Sequence, residues 1–518
     1  NGNTLTQDKV VRREFRLAEG DAAGLLLRGA FGVMVLCVFN LVLSLLAFRP
    51  LLKPVLALLF MVSAGVAYFM NRYGVLIDIG MLRNTVETNA TEVRDLLSLK
   101  LLAYIVLLGI VPVILLYKTP IVYRTFGRAL FSKLLVGVAS AGVLASVALL
   151  NYQGLSSLFR NHHELRLMIV PSNVVGAGAG YLREQLGSAR EPFRTLGEDA
   201  VRPVAVQQQG RKSLTVLVVG ESARAENFGL LGYRRDTTPQ LSKEAGLIAF
   251  SDVHSCGTET AVSVPCMFSN FTRKQYDASK AKHQEGLLDV LKRAGLDVRW
   301  RDNQSGCKGT CDRVTFVDVS NLKDPALCAN SECHDEILLQ GLDAMIDNLQ
   351  QDTVLVLHQM GSHGPAYHRR STPALKAFQP ECTDASLPQC SAQSIVNAYD
   401  NSIRQTDQLL SRTITWLSQQ TRPTALLYVS DHGESLGENG LYLHGMPYSL
   451  APPEQTHVPM LTWVSDPLAQ SRGWGRDCLA ALAHEALSHD HVFGTVLTLS
   501  GVRTQAVPAD RHALSACR

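Results

Sequence analysis

Two acidic residues and a histidine follow directly after short apolar runs that are typical of buried strands. Glu221 comes after the run SLTVLVVG, and Asp431 and His432 come after ALLYVS. In an open sheet of parallel strands, the carboxyl ends of the strands lie at one edge, where ligands bind. Carboxylate and imidazole groups are zinc ligands, and three protein ligands with one open position are typical of a catalytic site. The sequence therefore predicts a catalytic metal site formed by Glu221, Asp431 and His432.

The segment SCGTETAVSVPCMFS contains the candidate nucleophile, Thr260, between two cysteines that can brace its loop. A threonine hydroxyl is a weak nucleophile unless a metal or a base lowers its pKa. Thr260 as the fourth zinc ligand would make an alkoxide accessible near neutral pH, and with it a covalent phosphoryl-threonine intermediate. Two alternatives remain: Thr258 and Thr260 are capping hydroxyls of a helix, or Ser263 is the nucleophile.

The fold class follows from the pattern of apolar and polar residues after Ser213. Short apolar runs, SLTVLVVG, TVLVLHQ and ALLYVSD, alternate with long segments of helical periodicity, such as that from Glu285 to Ala294. Buried parallel strands with crossover helices produce this pattern. We expect residues 213–518 to form an α/β domain with a doubly wound sheet, in which His358 and His363 follow one of the strands.

The first part of the chain has the composition of a membrane domain. Hydrophobic residues make up 46% of the 518 residues and charged residues only 18%, against about a quarter charged in soluble proteins. Four charge-free stretches are each long enough to span a bilayer. A buried core helix would explain one such stretch but not four. We expect residues 1–150 to be a transmembrane domain with spans near 29–48, 54–71, 101–117 and 134–150, and residues 151–212 to be a membrane-proximal linker.

Basic residues in short loops predict the orientation of these spans. The loop 118–133 carries four basic residues and no acidic one, and the hinge between the first two spans carries Arg49 and Lys53, so both are expected in the cytoplasm. The segment 72–100 and everything after the fourth span then lie outside. An even number of spans would put the start of the sequence on the outer side as well, so we expect one more helix before the first span.

The cysteines indicate an oxidising compartment independently of the spans. Of the 11 cysteines, ten follow residue 255, an even number that suits five disulfides, and most stand in close pairs along the chain. Zinc-finger packing would need regular CxxC doublets, which are absent. Connectivity stays open at this point. The net charge of +3 is too balanced for a nucleic-acid binder, so no nucleic-acid partner is expected.

Five ordered motifs resemble the lipid A phosphoethanolamine transferases of the alkaline phosphatase superfamily, a family that includes the mobile colistin-resistance enzymes. They are GESARAENFGLLGY from Gly220, SCGTETAVSVPCMFS from Ser255, WRDNQSGCKG from Trp300, LHQMGSHGPAY from Leu357 and YVSDHGESLGENGLYLHGMP from Tyr428. The resemblance covers nearly the whole chain. It implies an alkaline-phosphatase or sulfatase-like sheet, and five membrane spans, of which the first is missing from the four found here.

By resemblance, Glu221, Thr260, Asp431 and His432 are the zinc ligands. Lys308, His363 and His444 would hold the transferred phosphoryl group, assist proton transfer, or bind a second zinc ion at His363 and His444. The family pattern commonly has a second Asn where this chain has Gln304. Lone histidines are more often structural, so His358 and His457 are not selected.

The motif MLRNTVETNATEVRDLL, on a helix expected outside the membrane near 78–98, places Asn84, Thr88 and Glu92 on one face at spacings of four. Such a stripe is most often a solvated face. In the family, the corresponding positions line the lipid headgroup site, where the Glu92 carboxylate would suit the ethanolamine ammonium.

The resemblance implies a monomeric, multi-pass enzyme of the bacterial inner membrane with its catalytic domain in the periplasm. It would transfer phosphoethanolamine from phosphatidylethanolamine to a lipid A phosphate through Thr260, release diacylglycerol and confer polymyxin resistance. Alternatives with a similar site are a transferase acting on another glycan, a phosphoglycerol transferase, and a membrane-anchored phosphodiesterase or sulfatase, although no CxPxR-type sulfatase motif is found. A periplasmic zinc-binding sensor is the non-enzymatic alternative.

Overall fold

A computed structural model describes residues 22–87, 93–94, 96–123, 125–151, 165–188, 192–204, 212–329, 332–347, 349–384, 387–514 and 517. The chain divides into two compact units. The first is helical and comprises the described residues up to Asp78, then Leu97–Gly178 and Asn439–Leu441. The second is an α/β unit made of Ile79–Leu96, Ala179–Glu438 and Tyr442–Arg518.

Helices of the described residues are numbered here in chain order. They are α1 (Ala22–Leu46), α2 (Leu52–Tyr73), α3 (Ile79–Glu87), α4 (Leu99–Lys118), α5 (Phe126–Leu150), α6 (Leu165–Met168), α7 (Ser172–Ser188), α8 (Thr260–Phe268), α9 (Ala278–Lys282), α10 (Leu287–Arg293), α11 (Leu342–Asp347), α12 (Ala392–Ser418), α13 (Pro453–Thr456), α14 (Asp466–Arg472), α15 (Arg476–Ala481) and α16 (Val492–Ser500).

Four of these helices, α1, α2, α4 and α5, are long and apolar enough to cross a membrane. Large apolar side chains such as Leu36 and Leu45 stay exposed on them, which suits a lipid environment where only hydrogen-bonded helices or barrels can span. The fourth of these apolar helices, α5, begins at Phe126, eight residues before the predicted span that starts at Leu134. Lys53 Nζ donates to Tyr117 O and Thr119 O at 3.1 and 3.0 Å, which places a cation at the C-terminal end of α4.

Strands of the described residues are also numbered in chain order. They are β1 (Leu214–Gly220), β2 (Ile248–Phe250), β3 (Asp252–His254), β4 (Asp297–Asp302), β5 (Thr315–Asp318), β6 (Cys328–Ala329), β7 (Glu332–Cys333), β8 (Thr353–His358), β9 (Thr424–Ser430), β10 (Ser435–Leu436), β11 (Tyr442–Leu443), β12 (Met460–Val464) and β13 (Ala486–Ser488).

Seven strands form the central sheet in the order β2-β12-β9-β1-β8-β4-β5. The five strands from β9 to β5 are parallel, as the apolar runs predict. β1 lies between β9 and β8 and is the middle strand of the seven. β12 runs antiparallel to both β9 and β2. The sheet is therefore mixed, whereas the sequence predicted parallel strands. The run that forms β12 is apolar like its parallel neighbours, so its composition carries no information on its direction.

Both faces of the sheet are covered by helices, as expected for a doubly wound fold. Alternate residues of β1 enter two separate cores: Leu217 and Val219 pack on one face and Val216 and Val218 on the other. α10 and α16 cover the first face, and α12 covers the second. Each Leu or Val buried in this way contributes about 1.5–3 kcal/mol. The predicted α/β fold class is confirmed.

Five disulfides lie in the α/β unit, in agreement with the even number of cysteines after residue 255. They join close sequence neighbours, with one longer link: Cys256–Cys266, Cys307–Cys311, Cys328–Cys333, Cys382–Cys390 and Cys478–Cys517. The remaining cysteine, Cys37 of α1, is a free thiol. Such bonds persist in oxidising compartments.

Candidate active site and metal centre

The central strands bring the predicted metal ligands together. Gly220 at the end of β1 is in register with Ser430 at the end of β9, so Glu221 and Asp431 follow side by side. Asp431 N donates to Gly220 O at 2.9 Å, and Ser222 N donates to Asp431 Oδ1 at 3.1 Å. These bonds fix the turns from which both carboxylates project. The candidate site therefore lies at the carboxyl ends of the parallel strands, as expected for an open sheet.

Thr260 is the first residue of α8, and its loop is braced on both sides. The Cys256–Cys266 disulfide ties the loop to the helix. Thr258 Oγ1 donates to Met446 O at 2.6 Å, and Ser263 Oγ accepts from Gly257 N at 2.9 Å. The hydroxyl of Thr260 therefore sits at the positive end of a short helix, where a developing negative charge is favoured. The hydroxyl of Ser263, the alternative nucleophile, instead holds the loop through its hydrogen bond with Gly257.

Thr260 reaches the predicted ligand set directly. Its Oγ1 lies 2.9 Å from Glu221 Oε2 and 3.4 Å from His432 Nε2. His432 Nε2 in turn lies 3.4 Å from Glu221 Oε1 and 3.4 Å from Asp431 Oδ2. One ligand atom from each of Glu221, Asp431 and His432 lies within 4.8 Å of the others, and all three residues are buried. The four residues form one compact cluster of oxygen and nitrogen donors.

Electrostatics in this cluster favour a bound cation. Burial, followed by repulsion from Glu221, raises the pKa of Asp431 well above its usual value. Burial also raises the pKa of Glu221, but the nearby imidazoles, His432 first, outweigh it and lower that pKa overall. Asp431 Oδ2 is buried without a hydrogen-bond partner among the described residues. Two crowded carboxylates, an orphaned oxygen and a neutral imidazole fit a divalent ion.

His432 and His444 differ in protonation although their rings are 4.4 Å apart. Burial lowers the pKa of His432 to about 4. Burial also acts to lower the pKa of His444, but the Glu434 carboxylate, 2.8 Å from its Nδ1, raises that pKa to about 9. At neutral pH, His432 is therefore a neutral imidazole suited to a metal, and His444 is a cation beside it.

A second group of side chains that could hold a metal consists of His432, Glu434 and His444. The predicted second ion at His363 and His444 stays a prediction. The ring of His363 lies 5.7 Å from that of His444, and burial lowers the pKa of His363 to about 3. Sequence analysis did not select Glu434, although it stands two positions after His432 in the same motif. Its place beside His432 in that motif was the one signal that could have selected it as a candidate metal ligand.

Lys308 lies in a loop closed by the Cys307–Cys311 disulfide, with a left-handed backbone (φ 52°). Its ammonium donates to Ser305 Oγ at 2.9 Å and to Ser305 O at 3.3 Å. Gln304 reaches the cluster directly, because its Nε2 donates to Glu221 Oε2 at 2.7 Å. The Gln304 side chain therefore holds a carboxylate of the candidate metal site.

Of the predicted headgroup residues, Asn84 is described, whereas Thr88 and Glu92 lie outside the described residues. Asn84 is half-buried on α3, and α3 packs against α8. One turn earlier on α3, Met81 covers Gly445 so closely that a Cβ there would lie 2.4 Å from Met81 Cε. The helix that carries Asn84 therefore borders the segment that carries His444.

His489 is a supporting residue that sequence analysis missed. Its ring is buried, accepts from Cys256 N at 3.1 Å and donates from Nε2 to Ser430 O at 2.9 Å. It thereby joins the loop before Thr260 to the strand before Asp431. In the sequence it is one of two histidines in SHDHVF, a segment without a metal-binding or catalytic motif. His358 and His457, which were not selected, pair with Asp302 and Glu226 at 2.7 and 3.0 Å.

The α/β unit, with its mixed sheet, and the helical segment before it each match a known family. The Sulfatase family model matches residues 213–502, and the model for phosphoethanolamine transferase EptA/EptB matches residues 35–186.

Similar proteins cover nearly the whole chain. Phosphoethanolamine transferase EptA of Escherichia coli (strain K12) is 41% identical over 94% of this chain and 89% of its own length. Phosphatidylethanolamine transferase Mcr-1 of Escherichia coli is 38% identical over 92% of this chain and 88% of its own. The solved structure of lipooligosaccharide phosphoethanolamine transferase A from Neisseria meningitidis matches with a TM-score of 0.94, at 38% identity, over 98% of this chain and 95% of that one. The chain belongs to the phosphoethanolamine transferase family.

Proposed function

We propose that this protein transfers phosphoethanolamine from phosphatidylethanolamine to a lipid A phosphate through a covalent intermediate on Thr260, and that zinc is its metal. The observation that carries the proposal is the position of Thr260 Oγ1, 2.9 Å from Glu221 Oε2 and 3.4 Å from His432 Nε2. A hydroxyl among metal-binding groups is the arrangement a phosphoryl carrier needs. Relatives over nearly the full length bear the corresponding names.

Glu221, Asp431 and His432 would hold the zinc ion. When bound, zinc supplies a Lewis acid that lowers the pKa of a nearby hydroxyl and offsets negative charge on phosphoryl oxygens. The chain's own residues position the nucleophile. The disulfide-braced loop and the start of α8 hold Thr260 Oγ1 against the cluster before substrate arrives.

In the first half-reaction, Thr260 Oγ1 bonds to the phosphorus of phosphatidylethanolamine and the bond from phosphorus to the glycerol oxygen breaks. The Thr260 hydroxyl, which donates to Glu221 Oε2 in this structure, loses its proton to solvent as the new bond forms. His444, protonated at neutral pH because its pKa is about 9, supplies a proton to the departing glycerol oxygen. Diacylglycerol is released, and phosphoethanolamine remains on Thr260.

In the second half-reaction, a lipid A phosphate oxygen bonds to the same phosphorus, the bond from Thr260 Oγ1 breaks, and the hydroxyl regains a proton. Lys308, His363 and His444 would hold the phosphoryl oxygens, and the Lys308 ammonium would offset their charge. The product gains an ammonium on an anionic group, which weakens binding of cationic peptides such as polymyxins. Asn84, Thr88 and Glu92 would contact the donor headgroup.

The proposal places the protein in the bacterial inner membrane as a multi-pass monomer, with the α/β unit in the periplasm. Four apolar helices and five disulfides support this placement. Phosphatidylethanolamine comes from the membrane, and so does the lipid A acceptor.

The test supplies labelled phosphatidylethanolamine to the purified full chain with zinc and follows diacylglycerol release together with the mass of the Thr260 peptide. We expect release and a phosphoethanolamine adduct on Thr260. Phosphatidylglycerol is the matched donor control, because it differs only in its headgroup. Release without an adduct would identify a phosphodiesterase instead, and an adduct from phosphatidylglycerol alone would identify a phosphoglycerol transferase. Mass spectrometry of lipid A from expressing cells identifies the acceptor.

A further inference from the structure

A cavity of about 580 Å³ opens on the flank of α8, the helix that begins with Thr260. Pro265 and Phe268 of α8 form one wall, Lys282 at the end of α9 forms another, and Ser305 and Lys308 form a third. Ligand pockets for small molecules typically enclose about 300–1,000 Å³. The volume is therefore sufficient for a sugar unit with its substituents.

The wall of this cavity is continuous with the catalytic cluster. Glu221 Oε2 accepts from both Thr260 Oγ1, at 2.9 Å, and Gln304 Nε2, at 2.7 Å. The next residue, Ser305, lines the cavity, and its hydroxyl accepts from Lys308 Nζ at 2.9 Å. Two side chains, Glu221 and Gln304, therefore connect the nucleophile to the cavity wall, which Lys308 also lines.

The charges that line the cavity suit an anionic, hydroxylated ligand. Three basic residues line it, Lys282, Lys308 and Arg313, against two acidic residues, Glu285 and Asp312. Glu285 pairs with Arg293 at 2.5 Å and Arg313 pairs with Asp289 at 2.6 Å, so the lining otherwise carries two lysines against Asp312. Neutral hydrogen-bonding side chains complete the lining: Ser269, Gln284 and Thr310.

The chemistry of the proposed cycle requires such a space. The glycerol oxygen leaves, and the acceptor oxygen enters, on the side of phosphorus opposite Thr260 Oγ1, so both occupy one position in turn. Their bulky remainders differ, because one is a diacylglycerol and the other a phosphorylated glycan. α3, which carries Asn84 of the proposed donor headgroup site, packs against α8. The acceptor glycan needs room of its own.

We infer that this cavity binds the phosphorylated sugar of the acceptor, with Lys308 receiving its phosphate and Lys282 contacting its outer anionic or hydroxyl groups. The inference rests on the proposed function. The bound phosphate directs one oxygen to the phosphorus carried by Thr260. A new bond forms between them, the bond from phosphorus to Thr260 Oγ1 breaks, and Thr260 takes up a proton.

The test separates the two half-reactions in the full-length protein. Lys282→Glu reverses a charge on the cavity wall, Ala281→Trp fills the cavity, and Lys280→Glu is the matched control, because Lys280 is exposed on the same helix but does not line the cavity. Each variant is loaded with labelled phosphatidylethanolamine, and lipid A or glucosamine 1-phosphate is then added. Adduct formation, adduct loss to water and transfer to the acceptor are measured separately.

We expect Lys282→Glu and Ala281→Trp to form the Thr260 adduct and to lose it to water at wild-type rates. The KM for either acceptor should rise about tenfold, as expected when a favourable charge contact becomes repulsive. Lys280→Glu should match the wild type throughout. Unchanged KM values in both cavity variants, or an equal rise in the control, would overturn the inference.

Slower adduct formation in the cavity variants would also overturn it, because the cavity would then serve the donor. If Ala281→Trp unfolds, Lys282→Glu still decides, since Lys282 is exposed at the helix end. Failure of the wild type to form any adduct is a separate result, which would remove the proposed function and this inference with it.

Discussion

Thr260 Oγ1 donates a hydrogen bond to Glu221 Oε2 at 2.9 Å, although the two residues are 39 positions apart in the chain. The hydroxyl proton of the proposed nucleophile thus already faces a carboxylate. Ser263, which lies one turn further along α8, instead accepts from Gly257 N. The structure therefore distinguishes the two hydroxyl groups that the sequence offered as alternative nucleophiles, because only that of Thr260 contacts Glu221.

Thr260→Ala should abolish the covalent adduct and lower transfer by at least about a thousandfold, because the attacking atom is lost. Ser263→Ala is the matched control. It should retain the adduct and lose about 1 kcal/mol of stability through the missing hydrogen bond to Gly257. Mass spectrometry of the α8 peptide and thermal unfolding check both variants. An adduct on Ser263 would contradict the assignment.

Removal of the metal should destabilise the protein as well as inactivate it. Zinc bound at about 100 times its Kd would contribute about 2.7 kcal/mol of stability, and chelation restores the repulsion between Glu221 and Asp431. We expect the Tm of the wild type to fall on chelation and to recover with zinc. Glu221→Gln removes that repulsion, so its Tm should change much less. Equal responses in both proteins would show that these carboxylates do not hold the ion.

His489 should act on the position of Thr260 through Cys256 and Ser430. His489→Ala leaves Cys256 N and Ser430 O without their partner, and a displacement of about 1 Å at the nucleophile can cost about a hundredfold in rate. We expect slower adduct formation with an unchanged KM for phosphatidylethanolamine. His489→Gln, which keeps a donor and an acceptor, should restore part of the rate. A loss of stability without this kinetic change would make the role purely structural.

Asp407 should make stability depend on pH far from the active site. Its carboxylate accepts from Gln240 N and Leu241 N at 3.0 and 2.8 Å, yet burial raises its pKa to about 6. The folded state therefore binds this proton more tightly than the unfolded state, whose pKa is about 3.9. The protonated Asp407 carboxyl group therefore contributes its full share of the folding stability below about pH 4, and this contribution is lost as the pH rises through about 6.

Asp407→Asn should remove this dependence, so that the difference in unfolding free energy between variant and wild type grows by up to about 3 kcal/mol from pH 4 to pH 7. Asp510→Asn, at an exposed position, is the control and should show no such growth. Chemical denaturation at several pH values measures both. A pH-independent difference for Asp407→Asn would contradict the buried-carboxylate account.

Local sequence patterns predicted much of the fold because they reflect local physics. Apolar runs that end in Glu221 and Asp431 mark buried strands, and the fold class they imply is confirmed. Pairs of cysteines close in sequence form disulfides, as with Cys307 and Cys311. β12 was not predicted, and an apolar run of this kind would not have indicated its antiparallel direction.

The sequence by itself determined the membrane-spanning composition, the strand-end carboxylates and most of the cysteine pairs, since each depends on side chains within one segment. Tertiary structure alone decided that Gln304 holds Glu221, that Glu434 raises the pKa of His444, and that His489 joins Cys256 to Ser430. Cys256 and His489 are 233 positions apart. Contacts of that range depend on the packing of many elements at once, which no local pattern of residue types encodes.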